Sequence, residues 1–133
     1  MTTTYAPTRL TAGAPVAEYS GHGYETRATI TTITRVTGRQ VTVATGRRYD
    51  RNKHGLLGGL HGYGHDHFSL MDVDAPPVVN ARARAALSNL GFRVHDTTRN
   101  FHGDRDAVLT KLAEIQALLD AAYEECGVSR REA

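Results

Sequence analysis

The sequence contains a single cysteine, Cys126, and no tryptophan among its 133 residues. One thiol excludes an internal disulfide and a zinc site built on paired cysteines, and this is typical of a reducing compartment. No apolar run approaches the roughly 20 residues of a membrane span. The N-terminal MTTTYAPTRL also lacks the apolar core of a signal peptide. We therefore expect a cytoplasmic protein that contacts no membrane.

Groupings typical of catalysis are also scarce. The sequence shows no Ser–His–Asp ordering and no convincing carboxylate pair. Cys126 follows a predicted helix without the positive surroundings that activate a thiolate. The glycine motifs GxGxxG and GxxxxGK[ST], which cradle phosphates, do not occur. These absences predict a protein that is not an enzyme.

Threonine is abundant, with sixteen residues, and it clusters with other β-branched residues in TRATITTITRVTGRQVTVATGRRYDR, residues 26–51. Thr37-Gly38-Arg39 interrupts this run and predicts a hairpin turn. After the turn, Val41 and Val43 share one face of a strand, and Tyr49 points inward from a third strand. Residues 68–73 predict a fourth strand. In the first strand, a bulge near Thr31-Thr32 would bring Ile33 to the same face as Ala28 and Ile30.

Two helices are predicted after the strands. The first covers residues 80–92, with Asn80 as its N-cap and Gly91 at its C-terminal end, after Pro76-Pro77 has stopped the preceding strand. The second runs from Asp104, its N-cap, to Cys126, and Gly127 ends it. Its apolar stripe is expected to be buried; if it is instead exposed, a helix-mediated dimer becomes the better interpretation. The stripe contains Val108, Leu112, Ile115, Leu119 and Ala122.

These elements predict an α+β fold: a small twisted antiparallel β-sheet, able to close into a barrel-like form, followed by two C-terminal helices. Residues 1–23 carry Pro7, Pro15, glycine and threonine without an apolar period, which predicts a flexible N-terminal arm. Residues 24–133 are then expected to form a single α+β domain. No pattern in the sequence indicates an oligomeric state.

Basic residues are concentrated in the predicted strands, where residues 27–53 contain seven basic residues and one acid. Such a stripe is one way to follow the phosphates of a nucleic acid. Few aromatic residues are interleaved with it for stacking on bases, so nucleic acid is the second interpretation here. The candidate nucleic-acid ligands are Arg27, Arg35, Arg39, Arg47, Arg48, Arg51 and Lys53.

A Gly/His-rich segment, GLLGGLHGYGHDHF at residues 55–68, follows the basic strands. His65 and His67 alternate on an extended segment and, with His61, are the candidate ligands for zinc or a similar ion. The glycines leave such a site poorly preorganised, so we expect no resident cofactor. Leu57, Leu60 and Tyr63 are too apolar for a purely solvated loop, which favours a role in binding a partner.

The run ITRVTGRQVTVATGRRYDRNKHGLLGG, about Ile33 to Gly59, resembles a hairpin in small, mostly uncharacterised proteins encoded by phages of actinobacteria. The resemblance implies a phage accessory protein that binds a host factor, acting in the host cytoplasm, and it supplies no catalytic residues. We accordingly predict a non-catalytic protein that contacts a host protein through the basic hairpin and the Gly/His-rich segment. The predicted contact residues are Arg35, Arg39, Arg48, Leu57, Leu60 and Tyr63. The alternatives are a nucleic-acid-binding module, a metal-dependent activity at the histidines and, ranked lowest, a sponge for a small nucleotide signal.

Overall fold

A computed structural model of the chain describes residues 5–22, 25–51, 56–57 and 68–128. Six strands precede two helices. The strands are β1 (Pro15–His22), β2 (Glu25–Val36), β3 (Gln40–Val43), β4 (Arg48–Asp50), β5 (Leu56–Leu57) and β6 (Phe68–Met71), and the helices are α1 (Pro76–Thr98) and α2 (Arg105–Glu125).

The strands form one antiparallel sheet in the order β5-β4-β3-β2-β1-β6, and the sheet is nearly closed. From β1 to β5, each strand pairs with the next one in the sequence. The exception is β6, which pairs with β1, so that Ala17 lies opposite Met71. The predicted α+β fold is therefore confirmed. The inward positions of Val41, Val43 and Tyr49 are confirmed as well, since all three side chains are buried.

The N-terminal segment differs from its prediction. Residues 15–22 are not a flexible arm but strand β1, which lies between β2 and β6. Val16, Ala17 and Glu18 are all buried in it, and Ala14 is buried just before it. The segment gains order by pairing on both edges, a tertiary effect that local composition does not report.

The register of the long strand β2 shifts between Ile33 and Arg35, so odd-numbered residues such as Ile33 face the interior before the shift and even-numbered residues such as Val36 face it afterwards. The bulge thus lies at Thr34 and not, as predicted, near Thr31-Thr32. Before it, Ala28 and Ile30 lie opposite Tyr19 and Ala17, on the face away from Ile33. Beyond it, Val36 lies opposite Val41 on the interior side. One extra residue therefore resolves the parity of the strand without placing Ile30 in the core.

The two faces bury separate clusters. The interior of the curved sheet holds Ala14, Val16, Ile33, Val41, Val43, Tyr49 and Leu70. On the opposite face, Ala17 packs with Ala75 and Val78 at the start of α1. Pro76 opens that helix because a first-turn residue needs no backbone N–H, so Pro76-Pro77 starts α1 rather than only stopping the strand. The helix is consequently longer than predicted, with Asn80 and Gly91 inside it.

The chain divides into two compact units, residues 1–81 and residues 82–133. The single domain over residues 24–133 stays a prediction. Within the second unit, α2 has the predicted ends: the Asp104 carboxylate accepts from the Ala107 N–H, and Gly127 follows the helix at φ +85°. The expected burial of its stripe is wrong, because no residue of α2 is buried.

Neither of the described helices is long and apolar enough to cross a bilayer.

Candidate functional site

The outer face of the β2–β3–β4 meander carries two of the predicted contact arginines in one row. Arg35 lies opposite Thr42, and Thr42 lies opposite Arg48 on the next strand. Both arginines are exposed. Because neighbouring strands lie about 4.8 Å apart, the Cα atoms of Arg35 and Arg48 are separated by about 10 Å. We call Arg35, Thr42 and Arg48 the arginine row.

The bulge at Thr34 is what turns Arg35 outward. Without the extra residue, Arg35 would share the parity of Ile33, which is buried in the interior. The Thr34 hydroxyl donates to the Thr42 carbonyl at 3.2 Å, which ties the bulge to the central residue of the row. The bulge therefore brings Arg35 onto the outer face that also carries Arg48.

The hairpin turn presents Arg39 and holds Arg51. Thr37 Oγ1 accepts from the Gln40 N–H at 3.0 Å, which fixes the turn around exposed Arg39. The Arg51 guanidinium donates to the Thr37 carbonyl at 2.9 Å. Arg51 thus supports the turn, while Arg39 is exposed within it.

Arg47 forms an ion pair with the buried carboxylate of Glu18. Its guanidinium donates to Glu18 Oε2 at 3.2 Å and lies 4.3 Å from the centroid of the Phe68 ring. Glu18 is only 2% exposed, whereas the Arg47 side chain is 43% exposed and reaches the carboxylate from the solvent side. Of the seven predicted phosphate ligands, Arg47 and Arg51 therefore have partners within the fold.

Glu18 has further partners that make its burial tolerable. The Tyr49 hydroxyl donates to Oε2 at 2.5 Å, and the Thr45 hydroxyl donates to Oε1 at 3.0 Å. A buried carboxylate costs several kcal/mol unless it is paired and hydrogen-bonded, and both conditions hold here. Glu18, Thr45, Arg47 and Tyr49, which we call the Glu18 cluster, join β1 to β4 and to the turn before it. The prediction missed this cluster because it assigned Glu18 to the arm.

The cluster holds Tyr49 in its protonated form. Burial raises the pKa of the Tyr49 hydroxyl far above its usual value, and the hydrogen bond to Glu18 and the charge of that carboxylate raise it further. Arg47 opposes these effects only in part. Since Tyr49 is 0% exposed and Glu18 2% exposed, neither group is accessible to a ligand, and their role is to hold the strands together.

This shift gives a prediction for alkaline pH. The unfolded chain releases the Tyr49 proton above about pH 10, whereas the folded chain retains it. The stability that the protonated Tyr49 hydroxyl contributes is therefore complete below about pH 10, and above this pH it declines by about 1.4 kcal/mol per pH unit. We expect Tyr49→Phe to remove this part of the alkaline loss. Urea unfolding from about pH 8 to about pH 11 measures it, and an unchanged slope in the variant would contradict it.

The remaining predicted residues fall in three places. Arg27 is exposed at the start of β2, opposite Ser20 and away from the arginine row. Leu57 lies opposite Arg48 in β5. Lys53, Leu60, Tyr63, His61, His65 and His67 lie outside the described residues. Within the described ranges, no three His, Cys, Asp or Glu side chains gather in a way that could hold a metal ion.

Comparison with known proteins yields no match to a family model, to a curated protein or to a solved structure.

Proposed function

We propose that this chain is a non-catalytic binding protein whose outer sheet face contacts an acidic surface of a partner protein. The observation that carries the proposal is the arginine row, in which two exposed guanidinium groups flank Thr42 on one face. Exposed arginines on a rigid sheet suit carboxylates, since the guanidinium is planar and binds them bidentately. The resemblance of residues 33–59 to actinobacterial phage proteins extends the proposal to an accessory factor that binds a host protein in the host cytoplasm.

Protein is favoured over nucleic acid because the basic stripe is smaller than its sequence suggests. Arg47 is bound to Glu18, and Arg51 is bound to the Thr37 carbonyl. A phosphate track needs many cations, since its affinity increases with each phosphate that is neutralised. Arg35, Arg39 and Arg48 are exposed arginines of the β2–β3–β4 meander whose guanidinium groups have no partner among the described residues, and so few cations fit a few carboxylates better than an extended backbone.

A photoreactive amino acid in place of Thr42 tests whether a partner protein contacts the arginine row. Thr42 lies between the two arginines, so irradiation in an actinobacterial lysate should join the chain to its partner. We expect a conjugate that protease destroys and nuclease leaves intact. The same amino acid at Thr29, which is exposed on β2 but outside the row, is the matched control and should give no conjugate.

Charge reversal then tests the arginines themselves. The pair Arg35→Glu and Arg48→Glu should weaken capture by at least about a hundredfold, because opposed charges become like charges. Arg27→Glu, an equally drastic change at another exposed arginine of β2, should leave capture unchanged. A nuclease-sensitive conjugate whose formation declines steeply with salt would instead establish the nucleic-acid alternative.

A further inference from the structure

The second unit presents an apolar face that its described residues, 82–128, leave exposed. α1 and α2 form an antiparallel helical hairpin, and between them lies a depression of about 190 Å³. Ala83, Ala86 and Ala122 keep it open, because a methyl group fills little space between the helices. Leu87, Leu119 and Tyr123 form its walls. Leu112 lies two turns from Leu119 on the same side of α2, so the apolar face extends beyond the depression.

Two leucines of this face are largely in solvent. Leu87 is 70% exposed and Leu112 is 55% exposed. The edge of the helical hairpin beside this face is polar by contrast. There Arg93 bonds Glu125 at 3.4 Å, and Lys111 bonds both Thr97, at 3.2 Å, and Glu114, at 2.9 Å. The unit therefore separates a paired polar edge from an open apolar face, which is the pattern of an interface.

We propose that this apolar face binds the same face of a second copy of the chain, giving a two-fold symmetric four-helix bundle. The available area is sufficient. A 21-residue helix is about 31 Å long, and two adjacent helices are about 18 Å wide. The full footprint of the hairpin is thus about 550 Å² per copy, and a contact over all of it buries about 1,100 Å², just above the roughly 1,000 Å² expected of a stable interface.

Charge decides how the copies are arranged. α1 carries three arginines and one aspartate, a net +2, whereas α2 carries two basic and five acidic residues, a net −3. The ion pair between Arg93 and Glu125 cancels one charge on each helix, so a net charge of +1 on α1 and of −2 on α2 faces a second copy. Placing α1 against the partner's α1 would oppose like charges, and so would α2 against α2. A two-fold axis parallel to the helices places each α1 against the partner's α2, so unlike charges meet.

The same symmetry provides a steric fit. An axis parallel to the helices keeps every residue at its own height along the bundle. Leu87 lies at the height of the depression, because it forms one of its walls. Each Leu87 therefore faces the partner's Leu119, Ala122 and Tyr123, where the alanines leave room for a leucine side chain. This is a knob entering a hole, the contact by which helical bundles select their partners.

Sedimentation equilibrium of the full chain tests the proposal. We expect the wild type to approach twice the monomer mass of 14.5 kDa and to dissociate on dilution. Leu87→Glu should raise the dissociation constant by at least about a hundredfold, since one leucine is lost from each copy. Leu112→Glu should act in the same direction.

Phe92→Glu is the matched control. Phe92 is 69% exposed, almost the same as Leu87, but it lies five residues further along α1 and hence about 140° around the helix. We expect this variant to remain a dimer. The charge arrangement predicts that the dissociation constant rises with salt, because screening weakens the attraction between α1 and the partner's α2.

Three results would overturn the proposal. A wild type of 14.5 kDa at every concentration would mean that no second copy covers the leucines. Dissociation by Phe92→Glu as strong as that by Leu87→Glu would place the contact elsewhere. A dimer strengthened by salt would reverse the arrangement, bringing like-charged helices together. The wild-type mass needs no variant, so the proposal can be tested even if a substitution reduces helix content.

Discussion

We expect Glu18→Ala to lower the free energy of unfolding of the sheet by about 3–5 kcal/mol, the cost typical of breaking a buried ion pair from one side. The substitution leaves the Tyr49 hydroxyl without its acceptor in the interior and the Thr45 hydroxyl without its partner. It also leaves a cavity where a 2%-exposed side chain was packed. Amide hydrogen exchange in β1 and β4 measures the change, because it reports the stability of individual elements.

Two variants separate the causes of this loss. Glu18→Gln retains the shape and one carbonyl acceptor but removes the charge, so it should be less damaging than alanine. Thr29→Ala changes the residue directly opposite Glu18 on β2, yet Thr29 is exposed, and we expect a change within about 0.5 kcal/mol. A loss below about 1 kcal/mol for Glu18→Ala would mean that water replaces the carboxylate at little cost.

The second large effect that we expect is a loss of stability when an isoleucine of β2 is truncated. Ile33 is 1% exposed in the interior, whereas Ile30 is 37% exposed on the other face. Ile33→Ala should therefore destabilise the sheet by about 2–5 kcal/mol, as core truncations do. Ile30→Ala is the same chemical change three residues earlier and should cost less than about 1 kcal/mol. Hydrogen exchange in β2 and β3 measures both losses. Equal losses would mean that the two isoleucines share one face, which requires a bulge between them, near Thr31-Thr32, and contradicts the bulge at Thr34.

Local patterns predicted the elements whose stabilising contacts are local. Val41 and Val43 alternate across β3, and the Asp104 cap and Gly127 are both close in sequence to the helix that they end. The antiparallel sheet and the two helices follow from such signals. Within the candidate site, Arg35, Arg39 and Arg48 were predicted as contact residues, and all three are exposed. The alignment of Arg35 with Arg48 through Thr42 became visible only with the register.

Other features depend on distant partners, and the sequence could not indicate them. β1 carries a glutamate at an interior position, so its polar and apolar alternation does not resemble a half-buried strand. The burial of Glu18 is compensated by Thr45, Arg47 and Tyr49, some 30 residues away. Periodicity likewise identified the apolar stripe of α2 but not what covers it, and Leu112 is 55% exposed.

The pairing of β1 with β6 has a consequence for how this chain tolerates insertions. Most neighbours in the sheet are consecutive in sequence, but Ala17 meets Met71 across most of the first unit. Side chains alternate between the two faces of a strand, so a single inserted residue within β1 would invert the side chains that follow it. Because β1 is paired on both edges, the insertion would disturb its register with β2 and with β6 at once.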